Sequence, residues 1–287
     1  MSSAFARPDP GCVRCRGAGA VIGREREHAI AQVCDCMGVC PACRGTGRAV
    51  VILQGVEGLA PCGCRELNRR VGLFNQARVP ARHAHSRLDN FDVSRSPGAA
   101  EAHRISNHWC QSYAPGIENR GLVLHGGVGR GKTHLLVAML HRMVFQHGIA
   151  VRFVEFSHLI LALKAGFATK TSTAALLDPL LDVEVLAIDE LGKGRCTDWE
   201  LAVVDELISR RYNAMATILA TTNYPPKLPS RRRPVDAAMM GPANLSVASG
   251  SQYTLAERIG ERVFSRLMEM AELQEIRGSD YRETRGR

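Results

Sequence analysis

Eight of the ten cysteines lie between Cys12 and Cys64, and they form a repeat. Cys12-Val-Arg-Cys15-Arg16-Gly17-Ala18-Gly19 closes at Cys34-Asp35-Cys36. At an offset of 28 residues, Cys40-Pro-Ala-Cys43-Arg44-Gly45-Thr46-Gly47 closes at Cys62-Gly63-Cys64, and 18 residues separate the inner cysteines of each copy. So short a unit cannot bury a core of its own, and four thiolates on one tetrahedral zinc would supply the missing folding energy. The glycines after each C-x2-C suit a tight turn that turns backbone N–H groups toward the sulfurs. Sequential pairing gives one Zn²⁺ to Cys12, Cys15, Cys34 and Cys36 and a second to Cys40, Cys43, Cys62 and Cys64, and is the preferred assignment. Nested pairing stays open, with Cys34, Cys36, Cys40 and Cys43 on one metal and Cys12, Cys15, Cys62 and Cys64 on the other, as does an iron–sulfur cluster. All-thiolate sites leave no open position for water, so both metals are expected to be structural and the module to be a binding surface. Cys110 and Cys196 stand apart and are expected to be ordinary buried residues.

A second group of residues points to phosphate chemistry. Gly121-Leu-Val-Leu-His125 reads as a buried strand running into Gly126-Gly127-Val128-Gly129-Arg130-Gly131-Lys132-Thr133, which fits G-x-x-x-x-G-K-[ST], and an apolar helical stretch follows from His134 to His147. That order of strand, glycine loop and helix lets backbone N–H groups and a helix N-terminus cradle the phosphates of ATP. Lys132 would reach the β- and γ-phosphates, and the Thr133 hydroxyl would ligate Mg²⁺. A further apolar strand, Val183 to Ile188, ends in Asp189-Glu190. Asp189 would hold Mg²⁺ and Glu190 would polarise the attacking water, a pair that suits hydrolysis rather than binding alone. A third apolar run, Ala216 to Ala220, ends in Thr221-Thr222-Asn223, where Asn223 is placed to sense the γ-phosphate.

These residues need a scaffold that brings several strand ends together. The strand at 150–155 and a long amphipathic helix at about 197–215 complete an alternation of strands and helices. The expected fold is therefore α/β, a P-loop domain with a central parallel sheet and the nucleotide at its carboxyl edge, plus a small N-terminal zinc-binding domain. The chain divides into a zinc module over 1–72, a basic connector with a helix near 99–113 over 73–118, and the ATPase domain over 119–287. Residues 65–118 carry Arg65, Arg69, Arg70, Arg78, Arg82 and Arg87, read either as a solvated face or as phosphate contacts to nucleic acid. A net charge of +9, from 37 Lys+Arg against 28 Asp+Glu, favours polyanionic partners without identifying one. No apolar run is long enough to span a bilayer, and the opening residues lack the pattern of a secretory signal, so a cytoplasmic protein with no membrane partner is expected.

The motifs Gly-Lys-Thr-His-Leu (131–135), Ile-Asp-Glu-Leu-Gly (188–192), Arg211-Tyr212, Thr-Thr-Asn (221–223), Gly-Glu-Arg-Val-Phe-Ser-Arg-Leu (260–267) and Gly-Ser-Asp-Tyr-Arg (278–282) occur in one order. Over about 66–287 the chain resembles the DnaC/DnaI-type replicative helicase loaders and the IstB-type transposition ATPases, a clade of AAA+ ATPases. The resemblance implies an ATPase whose Arg266 acts as an arginine finger on a neighbouring subunit's ATP, with Arg262 as runner-up, in a self-associated or helicase-templated oligomer. It implies nucleotide contacts from Gly126 to His134, from Asp189, and from Arg282 within the same subunit. It also implies single-stranded DNA binding around 157–170, with Lys164 and Lys170, and a zinc-bearing domain that docks a replicative helicase. Residues 227–254, with Arg231-Arg232-Arg233-Pro234, look like an insertion and are expected to be mobile. An IstB-type transposition helper is the alternative function. A DnaJ-like zinc scaffold, suggested by the C-x2-C-x-G-x-G halves, is a third.

Overall fold

The 28-residue offset of the cysteine repeat reappears in the backbone. The protein is described as a computed structural model, which covers residues 8–53, 56–169, 172–226, 253–278 and 280. Strand β1 (Ala20–Glu25) pairs antiparallel with β2 (His28–Val33), and β3 (Arg48–Leu53) pairs antiparallel with β4 (Val56–Pro61). The registers Ala20↔Val33 and Arg48↔Pro61 differ by the repeat length at both positions. Ahead of each hairpin the turn is also duplicated. Arg16 N donates to Cys12 O and Arg44 N to Cys40 O, both at 2.7 Å. Arg16 and Gly17 have φ of 51° and 79°, and Arg44 and Gly45 have 50° and 86°. Glycine suits this left-handed turn, and each arginine adopts it at a steric cost that the cysteine framework must hold.

Helix α1 (Arg65–Gln76) begins directly after Cys64 and packs on β2. The chain separates into two units, one of residues 1–85 with 141–151 and one of residues 86–140 with 152–287. Within the first unit Phe74 of α1 meets His141 edge-on at 6.1 Å and Phe145 at 5.5 Å. The sequence suggested one continuous helix to His147, but α3 ends at Arg142 and residues 143–147 widen into a π turn closed by Gly148 in the left-handed region. A π turn loosens the carbonyl ladder. Arg70 donates to Phe145 O, and Arg69 donates to Gly148 O at 3.0 Å.

The second unit is built on a five-stranded sheet. After α2 (Pro97–Ser112), capped by the Ser96 hydroxyl, come β5 (Gly121–His125), α3 (Lys132–Arg142), β6 (Val151–Glu155), α4 (Phe156–Thr169) and α5 (Thr173–Leu181). Then follow β7 (Val185–Asp189), α6 (Asp198–Asn213), β8 (Thr217–Thr222), α7 (Leu255–Ile259), α8 (Glu261–Met270) and β9 (Ala271–Glu275). The strand order is β6-β7-β8-β5-β9, with β5 parallel to β8 and β9, and β7 parallel to β8. Strands β7 and β8 are buried along their whole length, as strands covered on both faces must be. Thr254, expected within the insertion, instead caps α7 in a reciprocal capping box with Glu257; positions 227–252 lie outside the described residues.

Candidate nucleotide and metal sites

Each cysteine quartet is drawn from one copy of the repeat. The sulfurs of Cys12, Cys15, Cys34 and Cys36 lie within 4.8 Å of one another, and so do those of Cys40, Cys43, Cys62 and Cys64. The closest pairs are Cys12–Cys34 at 3.7 Å, Cys15–Cys36 at 3.4 Å, Cys40–Cys62 at 3.8 Å and Cys43–Cys64 at 3.5 Å. Tetrahedral zinc with Zn–S bonds of about 2.3 Å requires sulfurs about 3.8 Å apart, so both quartets fit the metal. None of the ten cysteines is in a disulfide. The backbone adds to the fit: Cys34 N donates to Gly19 O at 2.8 Å and Cys62 N to Gly47 O at 2.9 Å, closing each knuckle on its hairpin. The nested pairing left open by the spacing is not the arrangement of these quartets. Cys110 is fully buried. Cys196 is only half-buried, its thiol donating to Arg258 O at 3.3 Å.

The carboxyl ends of β5, β7 and β8 converge on the glycine loop because β8 lies between the other two. Gly129 and Gly131 take φ of 72° and 82°, which no side chain adopts freely. Lys132 is 7% exposed, and its Nζ donates to Gly126 O at 2.9 Å and Gly127 O at 2.7 Å. The loop thus curls around its own ammonium. The Thr133 hydroxyl donates to Asp189 at 3.0 Å, and Thr221 of β8 donates to the same carboxylate at 2.5 Å. Burial raises the Asp189 pKa; the hydroxyls of Thr221 and Thr133 counter that rise and the Glu190 charge adds to it. A buried carboxylate ringed by hydroxyl oxygens is chemistry that a hard divalent cation would satisfy.

Glu190 sits in the left-handed region at φ 55°, held there as its N–H donates to Thr221 Oγ1 at 3.0 Å and Leu191 N donates to Thr221 O at 2.8 Å. Its carboxylate is bound by Lys193. Thr221 therefore joins Asp189 to Glu190, a role that no motif in the sequence marks; its signal is a hydroxyl at the end of an otherwise apolar strand. Asn223 follows the end of β8 and is half-buried. Val128 at the loop tip is exposed. Arg130 spans from the loop to Ile276 O at 3.0 Å, and Ile276 N donates to His125 O at 2.8 Å. The Asp280 carboxylate lies against Gly129 so closely that a Cβ there would collide with it. His134, expected among the nucleotide contacts, is turned away: its Nε2 meets Arg87 O at 2.9 Å and its ring packs on Phe91.

Arg266 and Arg262 share one partner. Arg266 donates to Asp205 at 3.0 Å and to Ser209, and Arg262 binds the other Asp205 oxygen. Arg282 lies outside the described residues, as does Lys170. Lys164, expected on a DNA-contacting helix, donates to Glu200 at 2.7 Å and lies 5.5 Å from the Trp199 ring. Glu200 is 3% exposed and accepts from the amides of Arg195 and Cys196 at 2.9 Å each, so Lys164 neutralises a buried cap rather than facing solvent alone. In α1, Arg69 and Arg70 clamp Glu66, and the Arg69 hydrogen bond leads in lowering the Glu66 pKa to about 2. Arg87 is half-buried, with its pKa lowered to about 10 by burial.

Comparison with known proteins agrees with this geometry. A model of the IstB-like ATP binding protein family matches residues 64–227. The replicative helicase loader DnaC of Escherichia coli (strain K12) is 23% identical over 183 residues, which cover 62% of this chain and 73% of that protein. The phage-like element PBSX protein XkdC of Bacillus subtilis (strain 168) is 27% identical over 184 residues, 60% of this chain and 67% of that protein. A crystal structure of the DnaC helicase loader aligns at 29% identity and a TM-score of 0.55, covering 68% of this chain and 99% of that one.

Proposed function

Because this chain belongs to the IstB-like ATP binding protein family, we propose that it is an ATP-hydrolysing loader of a replicative DNA helicase. The observation that carries the ATPase half is the Thr133 hydroxyl on the buried Asp189 carboxylate, with Glu190 the next residue along. Lys132 and the loop amides would bind the triphosphate, Thr133 and Asp189 would hold Mg²⁺, and Glu190 and Asn223 would orient water. Bound Mg²⁺ would draw charge from the phosphate oxygens. The choice of a helicase as partner rests on the likeness to DnaC, which extends over 99% of its solved chain.

In this reading the cysteine module holds two structural Zn²⁺ and docks the helicase, while the ATPase domain engages single-stranded DNA in the cytoplasm. Arg266 serves a neighbouring subunit's nucleotide, exchanging Asp205 for phosphate as subunits assemble. A transposition helper is the second reading, suggested by the IstB-like family match together with the resemblance to IstB-type transposition ATPases. The test is steady-state turnover together with partner binding. Lys132→Ala abolishes nucleotide binding; Glu190→Gln keeps it and lowers turnover by about 100-fold or more. Full turnover in both variants would remove the ATPase, and binding to a transposase but to no hexameric helicase would replace the loader.

A further inference from the structure

The two copies of the cysteine repeat share backbone and register but not surroundings. In the first copy the outer edge of β2 is covered by the chain itself. Ala29 N donates to Val79 O at 2.8 Å, Ala81 N donates to Glu27 O at 2.8 Å, and the Asn75 carboxamide of α1 both accepts from Ala31 N at 2.7 Å and donates to Ala31 O at 3.0 Å. Ala29 and Ala31 are each 1% exposed as a result. One helix and the extended segment after it thus seal the outer edge of β2 and the part of the face that carries Ala29 and Ala31, while Arg24 on β1 stays exposed.

Twenty-eight positions on, the equivalents of Ala29 and Ala31 are Glu57 and Leu59 of β4. Leu59 is 66% exposed; Val50, opposite it in the register, is 64% exposed, and Ile52, opposite Glu57, is 66% exposed. Side chains directly opposite on an antiparallel pair, and those two apart on one strand, share a face. Val50, Ile52, Leu59 and Glu57 therefore lie side by side. Among the described residues, none donates to or accepts from the β4 edge at Glu57 or Leu59. A strand face left to water is ordinarily polar. Here it is more apolar than its counterpart in the first copy: Ile52 stands where the first copy has the exposed Arg24, and Leu59 where it has the covered Ala31.

We propose that the outer face of the β3–β4 hairpin is the docking surface for an amphipathic helix of the partner protein, laid along β4 as α1 lies along β2 and reaching across to Val50 and Ile52 of β3. The covered edge of β2 specifies a helix along β4, and the exposed Val50 and Ile52 specify how far across β3 it reaches. It carries aliphatic side chains at i and i+4 against Val50, Ile52 and Leu59 and a cationic residue against Glu57, and extended backbone after the helix pairs with the β4 edge as residues 79–81 pair with β2. This rests on the loader reading, and the helix belongs to the replicative helicase.

The test uses the full chain loaded with zinc and the hexameric helicase encoded by the same genome, with affinity read by biolayer interferometry. Val50→Asp, Ile52→Asp and Leu59→Asp each weaken binding by about 10-fold or more, as truncated apolar anchors do. Glu57→Lys weakens it less and becomes the most salt-sensitive variant. Zinc content and ATP turnover stay at wild-type values in all four, because these side chains are exposed and none is a cysteine of the quartets or a residue of the glycine loop. A benzophenone photocrosslinker at Ile52 captures a helicase helix, whereas one at Arg24 does not. Helicase binding that survives all three aspartates would overturn the surface while leaving the loader intact. Absence of binding by the wild-type chain would overturn the loader reading and this surface with it. Aspartate variants that abolish self-association but leave helicase affinity unchanged would make a second copy the occupant and overturn the proposal.

Discussion

Asp189 is 6% exposed, and its burial raises its pKa above the ordinary 3.8, only partly offset by the hydroxyls of Thr221 and Thr133. Between the ordinary value and the raised one the folded chain holds more protons than the unfolded chain, so nucleotide-free stability falls as pH rises through that window and stays reduced above it. Asp189→Asn removes the buried charge and keeps an oxygen for both hydroxyls. Its expected effect is a nucleotide-free Tm about 1–4 °C higher at pH 7 by differential scanning fluorimetry, with Mg²⁺-dependent ATP affinity at least about 10-fold lower by calorimetry. A lower Tm with metal-dependent affinity retained would contradict the assignment. The meeting of Thr133 with Asp189 beside Lys132 was legible in the sequence because each sits at a fixed offset within a strand-loop motif. Thr221 was not, because its role depends on β8 lying between β5 and β7, an adjacency between residues 32 apart in the chain. The direction of the His134 ring was not legible either: its place beside the loop is set by the motif, but its ring is held by Arg87 and Phe91, which the motif does not contain.

At the scale of elements, Arg211 shows how a motif can mark architecture rather than chemistry. It is 1% exposed, and its guanidinium donates to the carbonyls of Leu180, Leu181, Val183, Glu184 and Thr217. These lie where α5 ends, where the chain enters β7 and where β8 begins. A planar fork reaches several carbonyls that one ammonium cannot. Arg211→Met leaves those carbonyls in apolar surroundings and is expected to cost about 3–5 kcal/mol in urea denaturation, with Arg211→Lys recovering less than half. A loss under about 1 kcal/mol would show that water replaces the arginine. The strands were readable from apolar runs, and β5 and the helix near 99–113 emerged within two residues of expectation. The π turn at 143–147 was not readable, because the helical pattern continues through it and the carbonyls it loosens are met by Arg69 and Arg70, more than 70 positions away. The cap of α7 was hidden for a different reason: Thr254 and Glu257 form a local capping signal, but it adjoins a Gly/Ser/Ala-rich stretch that reads as loop.

Across the whole molecule two kinds of stability are combined. The second unit holds a continuous apolar core around β7, β8 and α6, whereas the second copy of the cysteine repeat gathers its buried apolar residues about its own sulfurs. Two zinc ions per chain are expected by native mass spectrometry, with Cys36→Ser and Cys64→Ser each losing one. Chelation is expected to abolish helicase binding while ATP affinity changes less than about 2-fold, since metal binding is folding energy for the module alone. Retention of both metals in either variant would contradict the sequential quartets. ATP turnover per chain is expected to rise with protein concentration and to lose that dependence in Arg266→Ala, which takes away the group assigned to the neighbouring site. The most direct test of the central claim is transfer of the helicase onto circular single-stranded DNA coated with its binding protein, followed by unwinding of an annealed strand. The wild-type chain with ATP is expected to load helicase in proportion to loader added, and Lys132→Ala to load none. Loading that proceeds equally with Lys132→Ala, or no loading by the wild-type chain although it binds the helicase, would contradict the account.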